Sequence, residues 1–196
     1  MRTAFTKDDP ALPMHYPGFV FRSLREEGYL DQALLAGTGL TKNRLGDPNH
    51  RFSFSSLRRL TLNALELTGD PHLGLRLGAK FEATYVGLPA YTAMNAARFE
   101  DALGVLTRFF SMSFPTIEFS LEDRQNSENQ SEIQIRLRPN MPYEDIGYFI
   151  SGFAVVACDG LFRAILRRPK VTLRGQMMAS APADWAHVAS QLGFTL

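Results

Sequence analysis

Residues 65–81 read LELTGDPHLGLRLGAKF, and the fold turns on how this stretch is built. Leu57, Leu60, Leu62, Ala64, Leu65 and Leu67 lead into it at dense helical spacing, which predicts a helix buried on more than one side. Gly69 is the residue type that takes the left-handed conformation just past a helix end. Asp70 can accept hydrogen bonds from the free N–H groups of a following helix, and Pro71 at that helix's first position loses no needed donor. A second amphipathic pattern begins at once. Within it Gly74 and Gly78 lie four apart on one face. Each costs about 1 kcal/mol against alanine in a helix, so a close approach by another backbone is expected there. A packed corner between two helices accounts for the whole stretch.

Working outward, the chain has 196 residues, enough for one good-sized domain. Hydrophobic residues make up 45% and charged residues 21%, an ordinary globular balance. A net charge of +1 draws it neither to nucleic acid nor to acidic membranes. The single cysteine excludes an internal disulfide and fits a reducing compartment. The N-terminus lacks the apolar core of a signal peptide. The longest apolar region, Ile146 to Cys158, spans about 13 positions, short of the ~20 a membrane helix needs. A cytoplasmic protein with no membrane partner is expected.

Residues 1–15 are polar and are expected to form a mobile arm, with the domain proper at 16–196. From Pro17 the pattern is helical up to Gly28, and Asp31 is expected to cap a short helix ending at Gly37. Thr41 to Leu45 forms one more turn, and Ser53 or Ser55 caps the long leucine helix. Gly87 to Asn95 is helical, and Phe99, Leu103, Leu106 and Phe110 repeat at helical spacing. After Pro115 the period changes to two. Ile117, Phe119 and Leu121, then Ile133, Ile135 and Leu137, predict an antiparallel hairpin with one buried face. A long helix over roughly 142–167, a third strand at 171–177 and a last helix through Trp185 complete the order. The fold class is therefore α+β: a mainly helical single domain with a small antiparallel sheet of about three strands.

Catalytic and metal-binding motifs do not emerge. His15, His50, His72 and His187 stand in no metal-ligand spacing, and Cys158 has no CxxC partner. There is no G-x-S-x-G elbow and no phosphate loop. Neither a cofactor nor enzymatic activity is expected. Cys158 lies in an apolar helical run, where a thiol serves as a small hydrophobe. Asp159 and Arg163 are spaced as a helical ion pair. Residues 160–176 hold Arg163, Arg167, Arg168, Lys170 and Arg174 with no acid, a pattern that suits a solvated helix end. The turn at 68–71 is no DNA reader, because PHLGLRLGAKF offers too few polar side chains on one face.

The chain resembles the N-terminal, arabinose-binding-like sensor domain of AraC/XylS-family transcriptional regulators of bacterial type. The likeness is carried by LLAGTGLTKNRLGDPNHRFSFSSLRRL, ELTGDPHLGLRLG, GLPAYTAMNAARFEDALGVLTRFF and SAPADWAHVASQLGF, four strings in order across nearly the whole chain. One departure is Arg98, which stands where a Ser or Thr cap would be expected; Glu100 and Asp101 keep only the acidic part of that box. The resemblance implies effector sensing and dimerisation, acting on a tandem helix-turn-helix domain expected beyond Leu196. An unknown small molecule, a second copy of the chain, and DNA only through that further domain are the implied partners. An interaction-only dimerisation scaffold is the alternative.

Sensor pockets are mostly apolar with a few placed polar groups. Aromatic residues near glycines on adjoining elements are therefore the candidate ligand-binding residues: Tyr85, Tyr91, Phe109, Phe110, Phe149 and Phe153. Arg76 and Arg174 are candidate receptors for a carboxylate, since a guanidinium matches it with two parallel hydrogen bonds.

Overall fold

The structure is a computed structural model that describes residues 6–47, 49–125, 131–166 and 180–192. The expected third strand, Arg174 and most of the basic run near it lie outside these residues.

The corner at 65–81 forms as its chemistry dictates. Helix α4, Phe54–Thr68, is capped by the Ser53 side chain, which accepts from the Ser56 N–H. It ends at Gly69 with φ +60°, whose N–H bonds back to the Leu65 carbonyl. Asp70 Oδ1 accepts from the His72 N–H at 2.8 Å, and the next helix runs Leu73–Ala79. Pro71 lies in the turn, two residues ahead of that helix.

Before this corner come a two-residue strand β1 (Leu12–Pro13), α1 (His15–Glu26), α2 (Asp31–Leu35), α3 (Lys42–Leu45) and β2 (Arg51–Phe52). The stretch expected to be a polar arm is held down from Thr6 onward. The Ser55 N–H bonds the Lys7 carbonyl, Leu12 pairs with Phe52, and Leu12 and Met14 are among the most buried side chains. Two apolar residues in a polar segment are enough to dock it, because ~1.5–3 kcal/mol accompanies burial of each. Asp31 is the first residue of α2 rather than its cap, and its carboxylate pairs with Arg25 and Lys42. Asn63 on α4 donates from Nδ2 to the Leu34 and Ala36 carbonyls at 2.9 and 2.8 Å. That side chain closes the C-terminal end of α2.

Helix Leu73–Ala79 is α5. Two helices follow, the short α6 (Ala83–Val86) and α7 (Leu88–Met94), and then α8, Phe99–Ser113. Arg98 precedes α8 with no side-chain cap. The hairpin is β3 (Ile117–Gln125) and β4 (Ser131–Pro139), paired antiparallel with Phe119 opposite Leu137 and Leu121 opposite Ile135. Tyr143 donates to the Thr116 carbonyl at 3.0 Å and fixes the hairpin's base. A single 3-10 turn, Glu144–Ile146, leads into α9, Gly147–Leu166; α10 is Trp185–Gln191. The described strands thus form two two-stranded antiparallel sheets within a mainly helical α+β fold.

Helix α9 is the axis of the molecule, and α5 lies along it. Gly74 meets the backbone of Phe149 and Gly78 that of Phe153, so no side chain separates the two helices there. In return Gly152 of α9 receives Leu75, whose Cδ2 would be 3.0 Å from a Cβ at that position. By length and composition α9 and its leading turn could cross a membrane. Here more than half of that segment is buried within the protein.

Candidate functional site

The lining of the core is aromatic where α1, α8, the hairpin and α9 converge. Tyr16 stands against Phe114 edge to face at 4.2 Å between ring centroids, and Phe110 stacks on Phe119 at 5.3 Å. Phe81, just past α5, meets Phe19 and Phe153 edge to face at 5.2 and 5.4 Å. Offset and edge-on rings leave gaps that branched aliphatic chains would close. The gap left here is a cavity of about 60 Å³. That is room for about four to six water-sized groups.

Its walls are assembled from distant parts of the chain. Tyr16 and Val20 come from α1, Leu57 from α4, and Phe110 and Phe114 from α8 and its end. Ile117, Phe119 and Leu137 form the floor on the hairpin, while Phe149, Phe153, Ala157, Cys158 and Leu161 form one flank of α9. Among the described residues no charged one lines it, and Tyr16 and Cys158 bring the side-chain hetero atoms. Both are held neutral. Burial, with a smaller contribution from Cys158, pushes the Tyr16 phenol far above its ordinary range. Burial, aided by the neighbouring Asp159 carboxylate, pushes the Cys158 thiol up to about 12. Cys158 keeps some accessible surface, but in an apolar chamber that surface gives a thiolate no hydration. The described lining can hold a hydrocarbon-like group.

A second, more open space of about 390 Å³ also has Phe81 in its lining. Ala79, Glu82 and Thr84, Ala90, Tyr91 and Met94 of α7, and Gly160 and Ala164 of α9 line it together with Phe81 itself.

Among the residues proposed from sequence, Phe110, Phe149 and Phe153 line the inner cavity, and Tyr91 lines the outer space. Tyr85 lines neither. It is half-exposed, stacked on Phe81 at 5.5 Å and carrying the Arg22 guanidinium 5.9 Å above its ring. Phe109 packs beside Phe110 at 5.9 Å, outside the cavity. Arg76 faces away from it. Its guanidinium is taken by Glu27 Oε1 at 2.6 Å and Asp70 Oδ2 at 3.1 Å, so it fastens α5 to the end of α1. Arg174 lies outside the described residues.

Tyr16, Phe81, Phe114 and Phe119 complete the cavity. Phe119 was legible from the two-residue period, which placed it on the hairpin's buried face. Tyr16 and Phe81 carried no periodic signal, because each belongs to a helix end.

One polar cluster stands apart on the opposite flank of α9. His72 Nδ1 is 2.6 Å from the Tyr148 hydroxyl, and its Nε2 is 3.1 Å from Asp184 Oδ1. Burial, then the Asp184 and Asp70 carboxylates, push the Tyr148 phenol up to about 12. Beside this cluster Ala189 and Val188 of α10 pack on Leu75 and Val156. The expected Asp159–Arg163 pair forms at 2.8 Å on α9.

Residues 28–195 match the family described as the arabinose-binding domain of AraC transcription regulators, N-terminal. Over 99 residues the chain is 28% identical to the ornithine utilization regulator of Pseudomonas aeruginosa. The aligned part is 50% of this chain and spans 29% of that relative's length.

Proposed function

The chain belongs to the family of N-terminal arabinose-binding domains of AraC transcription regulators, and from that premise we propose that its inner cavity is an effector pocket whose occupancy is reported to a helix-turn-helix DNA-binding domain. The observation that carries this is a neutral aromatic chamber walled by α1, α8, the hairpin and α9. Well-packed interiors leave few voids larger than a water molecule, and apolar voids of this kind take up small apolar molecules. The effector acts by linkage: binding one arrangement of the walls better than another shifts the population by that difference in affinity. A cytoplasmic homodimer without catalytic activity is the accompanying proposal.

Thermal denaturation tests the pocket. Small apolar probes such as benzene and 1-hexanol are expected to raise the Tm of the native protein. The rise is expected to vanish in Ala157→Leu, which fills the cavity, provided that this variant still melts cooperatively. A native protein whose Tm responds to none of the probes overturns the proposal.

A second reading is an interaction-only dimerisation scaffold. It is favoured by one surface feature, the exposure of Leu88 at 78% and Tyr91 at 54% on α7. A stable dimer in light scattering, lost in a Leu88→Glu, Tyr91→Glu double variant and indifferent to every small molecule, would support it.

A further inference from the structure

We propose that the effector is an uncharged, hydrocarbon-like molecule of about four to six non-hydrogen atoms, and that Ala154 and Ala157 of α9 set this size limit. This rests on the effector-pocket reading above and extends it to the class of ligand and to the residues that select it.

The class follows from what the chamber can offer a guest. Among the described residues that line it none is charged, and its phenol and thiol are neutral. A sugar or a free amino acid placed there would surrender several hydrogen bonds to water and regain few. Each polar group so left unpaired lowers affinity about 5- to 150-fold, and a charge lowers it further. A methylene group gains about four-fold on the same transfer. The chamber therefore selects for carbon and against charge.

The size follows from where the void arises. On α9 its wall is Ile150, Phe153, Ala154, Ala157, Cys158 and Leu161, which share one helix face because they stand three or four apart. Bulky side chains occupy both ends of that row and small ones its middle. Ala154 and Cys158 keep accessible surface there. Rings of the other walls pack on one another, Phe110 on Phe119 and Tyr16 on Phe114, so the space that the two alanines leave stays open. Its volume of about 60 Å³ holds about four to six groups of the size of a water molecule.

Calorimetric titration with the straight-chain alcohols from ethanol to 1-octanol reads the limit. In the native protein affinity is expected to rise about four-fold with each added carbon up to about 1-pentanol and then to level off, so that 1-octanol binds no better than 1-pentanol. Ala157→Val adds carbon to the wall, and levelling is expected about one to two carbons earlier. Ala154→Val makes the same test should the first variant not melt cooperatively. Ala164→Val, on α9 but in the lining of the outer space, is expected to leave the series unchanged. Pentylamine, pentanoate and ribose are expected to bind the native protein about 100-fold more weakly than 1-pentanol, or not at all. Native binding of any of these three as tight as that of 1-pentanol overturns the ligand class. A series that climbs on to 1-octanol, or one that Ala164→Val shortens as much as the other variants do, overturns the size limit. Either result leaves the pocket standing. If no alcohol binds, the effector pocket itself falls, and this proposal with it.

Discussion

Gly74 lies directly against the backbone of Phe149: a Cβ at position 74 would stand 2.8 Å from the Phe149 Cα and closer still to its carbonyl oxygen. Backbone cannot swing aside as a side-chain tip can. Gly74→Ala is therefore expected to destabilise by about 1–3 kcal/mol, even though alanine is the better helix former by about 1 kcal/mol. Gly78→Ala, 2.7 Å from the Phe153 carbonyl oxygen, should behave alike. Gly104 in α8 is the control, with nothing within 4 Å of its notional Cβ. Gly104→Ala should stabilise by about 0.5–1 kcal/mol. Urea midpoints of the three variants check the sign at each position.

Asn63 offers a second test through its two hydrogen bonds to the end of α2. Asn63→Ala strands the buried Leu34 carbonyl and takes one donor from the carbonyl of the exposed Ala36. The expected cost is about 1–3 kcal/mol, with hydrogen exchange accelerated first across Asp31–Leu35.

Acid titration should expose the clip between α1 and α5. Burial alone raises the Glu27 carboxyl, but hydrogen bonds from Lys80 and Arg76, with their charges, outweigh it and hold it below its ordinary value of 4.5. The folded state thus binds this proton less readily than the unfolded chain. The clip's contribution is whole above pH 4.5 and is lost as pH falls through the lower folded value. Exposed pairs of this kind are worth about 0–1 kcal/mol. Glu27→Gln should flatten that limb between pH 5 and 3, measured as the urea midpoint against pH.

Cys158 gives a chemical readout of the chamber. With its thiol pushed to about 12 against an ordinary 9.0, little thiolate exists at pH 8. A disulfide reagent should modify the native protein roughly 100-fold more slowly than the urea-unfolded chain. A probe seated in the inner chamber should slow it further; equal rates with and without a saturating probe would mean that the probe binds elsewhere.

How much of this was legible beforehand depended on the range of the interaction. The Ser53 cap, the Gly69 exit, the Asp70 turn and the alternation at Phe119 are local, and the residues alone announced them. The glycine pair announced a close approach but not its partner, since nothing near Gly74 points to Phe149 far along the chain. Strands β1 and β2 escaped because two residues cannot show a period. Arg76 reads as a free guanidinium in the sequence because its mate, Glu27, sits at the end of α1, far back along the chain. The cavity was half visible: Phe110, Phe149 and Phe153 recur at helical spacing, whereas Tyr16 and Phe81 join them only through tertiary packing.

Helix α9 is a stiff rod of 20 residues, roughly 30 Å long. One flank carries Phe153 and Ala157 in the chamber wall, and the neighbouring flank carries Val156 under α10. Such a rod cannot yield on one side without moving the other. A guest that shifted α9 would shift with it the ledge beneath α10 and the Asp184–His72 contact, 3.1 Å long, that ties that ledge to the start of α5.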